Sequence, residues 1–180
     1  MISSPRPDGS RLPLTGADCF LRAFDAQVRR YSQASHLSQL VLRLDPGFKP
    51  SRLQEVIREV AVAHPILRAP IRRGLGAPHY RLDRPGPFPQ VTEHAGGTRS
   101  EALPPLFAEL LNGVMEPRRG ELLRFDAVSY DDGCVDLAMT WLHMLFDGSG
   151  SEYFATRVAE IDAGTRSIAE LAPSEEIASA

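Results

Sequence analysis

Apolar positions along this chain recur with two periods, and each change of period marks an element. Phe20, Phe24, Val28 and Tyr31 fall at helical spacing, and Thr15 is placed to cap a helix that runs to about Tyr31. Leu40, Leu42 and Leu44 alternate within His36 to Asp45, which predicts a half-buried strand closed by the turn Asp45-Pro46-Gly47. Leu53, Val56, Ile57 and Val60 form the stripe of a second helix over about 51–64, stopped by Pro65. Ile66 to Arg72 then reads as a short strand. The Pro- and Gly-rich middle holds two further short strands, His79 to Leu82 and Gln90 to His94. Thr98 and Glu101 have capping-box spacing and predict a helix to about Met115, carried by Leu103, Phe107, Leu110, Leu111 and Val114. Leu122 to Tyr130 and Cys134 to His143 read as paired strands around the hairpin turn Asp131-Asp132-Gly133. A last helix over about 150–163 points Phe154, Val158 and Ile161 at the core.

This order predicts an α+β fold, a two-layer sandwich of helices on a mostly antiparallel or mixed sheet. Residues 1–12 read as a flexible lead-in, 13–163 as the folded unit and 164–180 as a polar tail or linker.

Charge and composition narrow the function. The net charge is −3 and the arginines are scattered singly or in pairs, so no cationic face for nucleic acid is expected. Cys19 and Cys134 form no CxxC pair and read as buried small hydrophobes in a reducing compartment. The N-terminus lacks the apolar centre of a signal peptide, and the longest apolar run, Leu137 to Phe146, is too short to span a bilayer. The expected location is the cytoplasm, with no membrane span.

The candidate chemistry lies where the last strand ends. Val135, Leu137, Met139, Trp141 and His143 share one strand face, and only His143 is polar. The pattern then breaks at Phe146-Asp147-Gly148-Ser149-Gly150, a tight turn before a helix. Two readings are open: a strand-end histidine satisfied by backbone with Asp147 as a turn residue, or an imidazole held at a partly desolvated edge for proton transfer. No third ligand accompanies His143 and Asp147, so no metal is expected. Ser149 and Ser151 lack a G-x-S-x-G setting, which leaves no serine or cysteine nucleophile.

The stretch Leu142-His143-Met144-Leu145-Phe146-Asp147-Gly148 resembles the HHxxxDG signature of the chloramphenicol acetyltransferase-like superfamily, which includes condensation domains and wax ester synthases. Leu142 stands where the first histidine would be. Ala63-His64-Pro65-Ile66-Leu67-Arg68 resembles the RHExLR element of condensation domains, and Pro13 to Asp18 the opening of wax-ester-synthase-like members. The resemblance covers most of 13–163 and implies the N-terminal lobe of a two-lobed acyltransferase. It implies His143 as general base and Gly148 as the backbone that steadies an oxyanion. Asp147 would be structural and pair with Arg68, while Trp141 and Ser149 would contact substrate. The implied donor is acyl-CoA or an acyl carrier protein, with no permanently bound cofactor. The site would be completed by a second lobe, a partner chain or a second copy. A non-catalytic relative that binds a carrier protein, an acyl chain or a partner subunit is the alternative, favoured by Leu142 and the short chain.

Overall fold

A computed structural model of the chain describes residues 10–73 and 76–170. A four-stranded sheet forms its centre, in the order β2-β7-β6-β5. The strands are β2 (Leu37–Leu44), β5 (Val91–Gly97), β6 (Leu123–Tyr130) and β7 (Val135–Leu142). β7 runs antiparallel to both β2 and β6, and β5 runs parallel to β6, so the sheet is mixed. The hairpin turn forms as its sequence requires: Gly133 sits at φ +80°, and its N–H donates to the Tyr130 carbonyl. A small antiparallel sheet joins β1 (Arg11–Pro13), β3 (Ile71–Arg72) and β4 (His79–Arg81) in the order β1-β4-β3.

β7 is buried along its whole length. One face carries Val135, Leu137, Met139 and Trp141 into a core shared with α2 (Pro50–Ala63) and α4 (Gly148–Asp162). The predicted stripes Leu53, Val56, Ile57, Val60 and Phe154, Val158, Ile161 are the buried ones. The other face meets α3 (Pro105–Leu111) through Phe107, Val128 and Ala138. That face also encloses a carboxylate. Asp136 has no exposed surface and accepts hydrogen bonds from the Tyr130 hydroxyl (2.9 Å) and the Arg99 guanidinium (3.2 Å). A buried carboxylate is tolerable only with such partners. α1 (Gly16–Ser32) begins with the capping box of Thr15 and Asp18 but buries none of its residues.

Several expectations are corrected. No helix starts at Thr98: Pro104, the residue before a proline, stays extended at ψ 130°, and α3 opens only at Pro105. Leu103 and Val114, expected on its stripe, lie exposed outside it. Pro65 opens a 3₁₀ turn, Pro65–Arg68, where a strand was expected, and the strand is confined to Ile71–Arg72. The fold reaches beyond 13–163: Arg11 and Leu12 pair with β4, and Ile168 packs on the core. The remainder of the lead-in up to residue 9, and residues 171–180 of the tail, lie outside the described residues. Cys134 is buried as expected, but Cys19 is exposed because its side of α1 has no cover. Among the described residues, no helix is long and apolar enough to cross a membrane.

Candidate active site

β7 ends at Leu142, and the chain turns through His143 to Phe146 before α4 begins. Two bonds fix this turn at its ends. The His143 N–H donates to the His36 carbonyl (3.2 Å), and the Leu145 N–H donates to the Leu142 carbonyl (2.8 Å). The Phe146 carbonyl then accepts from two side chains, the Trp141 indole N–H (2.9 Å) and His143 Nδ1 (3.3 Å). A carbonyl only accepts, so the His143 nitrogen facing it carries the hydrogen. In the neutral ring this leaves Nε2 as a proton acceptor.

His143 lines an open pocket of about 670 Å³. The start of α1 contributes Thr15, Asp18 and Leu21 to its wall. The end of α2 and the 3₁₀ turn add Val60, His64, Ile66 and Leu67. The turn after β7 and the helix α4 supply Met144, Leu145, Ser149, Tyr153, Phe154 and Arg157. The lining is therefore mostly apolar with a few polar groups, the usual make-up of a small-molecule site. Tyr80 of β4 closes one side, its hydroxyl donating to the Met144 carbonyl at 3.5 Å, and burial pushes that phenol upward in pKa. His64 is almost fully buried, and burial holds its imidazole below the usual histidine range.

A row of rings reaches His143 from the outside of the molecule. Phe20 and Phe24 of α1 stack at 6.4 Å, Phe24 meets the His36 ring edge-on at 4.7 Å, and His36 meets His143 edge-on at 5.1 Å. The His36 N–H donates to the Asp25 carboxylate (2.7 Å). Burial lowers the His36 pKa, followed by the neighbouring His143, with Asp25 opposing both.

The expected site residues divide. His143 and Ser149 both line the pocket. Trp141 is absent from that lining: it is 3% exposed, packs on Phe146 and donates its indole N–H to the Phe146 carbonyl, which shapes the turn. Gly148 is the first residue of α4 and lies outside the lining, whereas Ser149 and Gly150 belong to it. The expected pair of Asp147 with Arg68 does not form. Asp147 is exposed and caps α4, accepting from the Gly150 N–H (2.6 Å). Arg68 instead donates to the carbonyls of Ala61 (3.2 Å) and Gly86 (3.0 Å) and lies over the Phe88 ring. These backbone and ring partners satisfy the guanidinium without a carboxylate.

The sequence reading missed His36, Tyr80 and Arg157 and gave His64 no place in the site. His64 does end α2, but it also lines the pocket. His94, at the end of a predicted strand, lies in β5 with Nε2 3.0 Å from the Asp126 carboxylate. Among the described residues, no three His, Cys, Asp or Glu side chains converge to hold a metal ion.

Known proteins carry this fold. No family model and no curated protein matches the sequence. Solved structures do match. A chain of the complex of the X-domain and OxyB from teicoplanin biosynthesis aligns with a TM-score of 0.71 and 23% identity, over 95% of this chain and 36% of that one. The first condensation domain of the CDA synthetase also gives 0.71, at 14% identity, over 88% of this chain and 40% of its own. This chain has the fold of one lobe of a condensation domain. A mutant of the starter condensation domain of the rhizomide synthetase RzmA agrees, at a TM-score of 0.68 and 14% identity, over 86% of this chain and 38% of that one. The chain spans well under half the length of each matched structure. The likeness is one of fold; within this chain the turn from His143 follows β7, an inner strand of the four-stranded sheet.

Proposed function

We propose that this chain is the histidine-bearing lobe of a cytoplasmic acyltransferase. It moves an acyl group from a thioester, carried by coenzyme A or a carrier protein, to a hydroxyl or amine. The observation that carries the reading is the orientation of His143. Its Nδ1 is tied to the Phe146 carbonyl, and the ring stands in the wall of a mostly apolar pocket. Nε2 takes the proton of the attacking hydroxyl or amine as that group adds to the thioester carbonyl. The tetrahedral oxyanion is assigned to the backbone of the first turn of α4 at Ser149, which lines the pocket where the helix dipole is positive. Collapse expels the thiolate, which recovers the proton from His143. No side chain of the protein is acylated.

The loss of the first motif histidine is compatible with activity. Leu142 is 1% exposed and belongs to the core, so its replacement removes no group from the pocket. A second lobe, a partner chain or a second copy completes the site, since the pocket is open and the chain spans under half of the structures it matches. The exposed stripe of α1 supports a second reading, a non-catalytic module whose pocket and α1 bind a carrier protein, an acyl chain or a partner subunit.

The test is thiol release from an acyl thioester by the completed assembly, with intact mass recorded in parallel. Release should require the acceptor, and the protein mass should stay constant. A covalent acyl adduct that forms and decays during turnover would overturn direct transfer. Tight binding of the thioester without any turnover would favour the binding module.

A further inference from the structure

One face of α4 forms a long wall of the pocket that holds His143. Ser149, Tyr153, Phe154, Arg157, Val158 and Ile161 recur along it at the steps that place residues on one side of a helix. Ser149 stands at the end nearest the turn that carries His143. Arg157 follows two turns later, which at about 1.5 Å per residue is about 12 Å along the helix axis. Among the described residues, Arg157 is the only Lys or Arg in this mostly apolar lining.

Its guanidinium is short of countercharge. It lies over the Tyr153 ring at 4.6 Å, and its Nη1 donates to Glu160 Oε2. The same oxygen holds Arg166 Nε at 3.1 Å, so one carboxylate serves two cations. The two carboxylates of the pocket wall are engaged elsewhere, Asp18 in the cap of α1 and Asp147 in that of α4. Arg157 Nε is buried with no hydrogen-bond partner among the described residues. A buried donor of a charged group left unpaired costs free energy, which an anionic ligand would relieve.

We infer that Arg157 anchors a carboxylate at the remote end of a substrate of this pocket, about 12 Å along α4 from the reacting carbon. This rests on the acyl-transfer reading, which puts that carbon between His143 and Ser149. A guanidinium fork matches the two oxygens of a planar carboxylate. Phe154 lies between the two ends and suits a hydrocarbon spacer. A wholly neutral chain would cover the cation without pairing it. The carboxylate belongs to the acyl group or to the acceptor, and the two sources give different results with separate probes.

Calorimetric titration of the chain tests this without any turnover. The S-methyl thioester of octanoic acid is compared with the mono-S-methyl thioester of octanedioic acid, and octan-1-ol with 8-hydroxyoctanoate. In one of these pairs the carboxylate should tighten binding about 10- to 100-fold, the range for hydrogen bonds to charged groups. A gain in the thioester pair assigns the carboxylate to the acyl group, and a gain in the alcohol pair assigns it to the acceptor. Arg157→Gln should erase the gain. Arg157→Lys, which keeps the charge and loses the fork, should keep only part of it. If Arg157→Gln does not fold, Arg157→Lys and a neutral probe decide: the thioester whose far end is a primary amide should bind the parent chain no better than the octanoic thioester. No gain in either pair, a gain that survives Arg157→Gln, or an amide that binds as tightly as the acid would overturn the proposal. Carboxylate-dependent binding that needs Arg157, in an assembly that transfers no acyl group, would leave this anchor standing and remove the acyl-transfer reading instead.

Discussion

Helices α1 and α4 make an instructive pair. Both are capped by an acid or hydroxyl at their N-termini, both carry apolar residues at helical spacing, and both border the same pocket. Yet α4 buries Phe154, Val158 and Ile161 against α2 and the sheet, while α1 buries nothing. Phe20 is 69% exposed and Tyr31 75%. Polar contacts tie α1 to the rest of the chain: Arg29 to Glu116 and to the Met115 carbonyl, and Asp25 to the His36 N–H. Helical periodicity therefore tells which residues share a face, but not whether that face has a partner within the chain. Contiguous exposed apolar faces on a folded unit mark places where something else binds.

The largest effect is expected at the buried end of this pair. Phe154 stacks on Phe146 at 5.0 Å, and Phe154→Ala should cost about 3–5 kcal/mol in chemical denaturation. A cost under about 1 kcal/mol would mean that α4 is not packed as described. Asp147→Ala should cost less, about 0.5–2 kcal/mol, because it removes a helix cap and not a buried ion pair. Combined with Arg68→Ala its effect should add within about 0.5 kcal/mol, and clear non-additivity would restore the expected pair.

Acid should weaken the pocket side of the molecule next. His64 and His36 have pKa values lowered below 6.5 in the folded chain, so the unfolded chain binds more protons as pH falls through that value. Stability should be level above about pH 6.5 and decline below it, and His64→Gln should shrink that decline. A stability that rises on acidification through this range would contradict the burial of both rings. The smallest effect belongs to α1: Phe20→Ala should stay within about 0.5 kcal/mol in the isolated chain. Phe20→Asp should reduce light scattering from self-association, and unchanged scattering would mean that the stripe has no affinity for a partner.

The sequence pattern was most legible where one residue's role had a single physical cause. The stripes of α2 and α4, the hairpin at Gly133 and the cap at Thr15 follow from periodicity and turn chemistry. His143 was legible because it is the only polar member of an otherwise apolar strand face. Trp141 and Arg68 were misplaced because their partners are backbone carbonyls, which leave no trace in residue spacing. His36 and Tyr80 were invisible for a related reason. They come from segments far apart in the chain, and only the closed sheet brings them together. The false helix start at Thr98 came from weighing a two-residue cap signal above the prolines that follow it.

The most direct test of the account is the rate of acyl transfer by the completed assembly with His143→Ala. Deleting a general base typically lowers rate by about 10²- to 10⁴-fold. The account predicts a fall of that size in kcat/KM, with the denaturation midpoint close to that of the parent because His143 is only partly buried. A His143→Ala protein that folds and transfers acyl groups at the parent rate would contradict it.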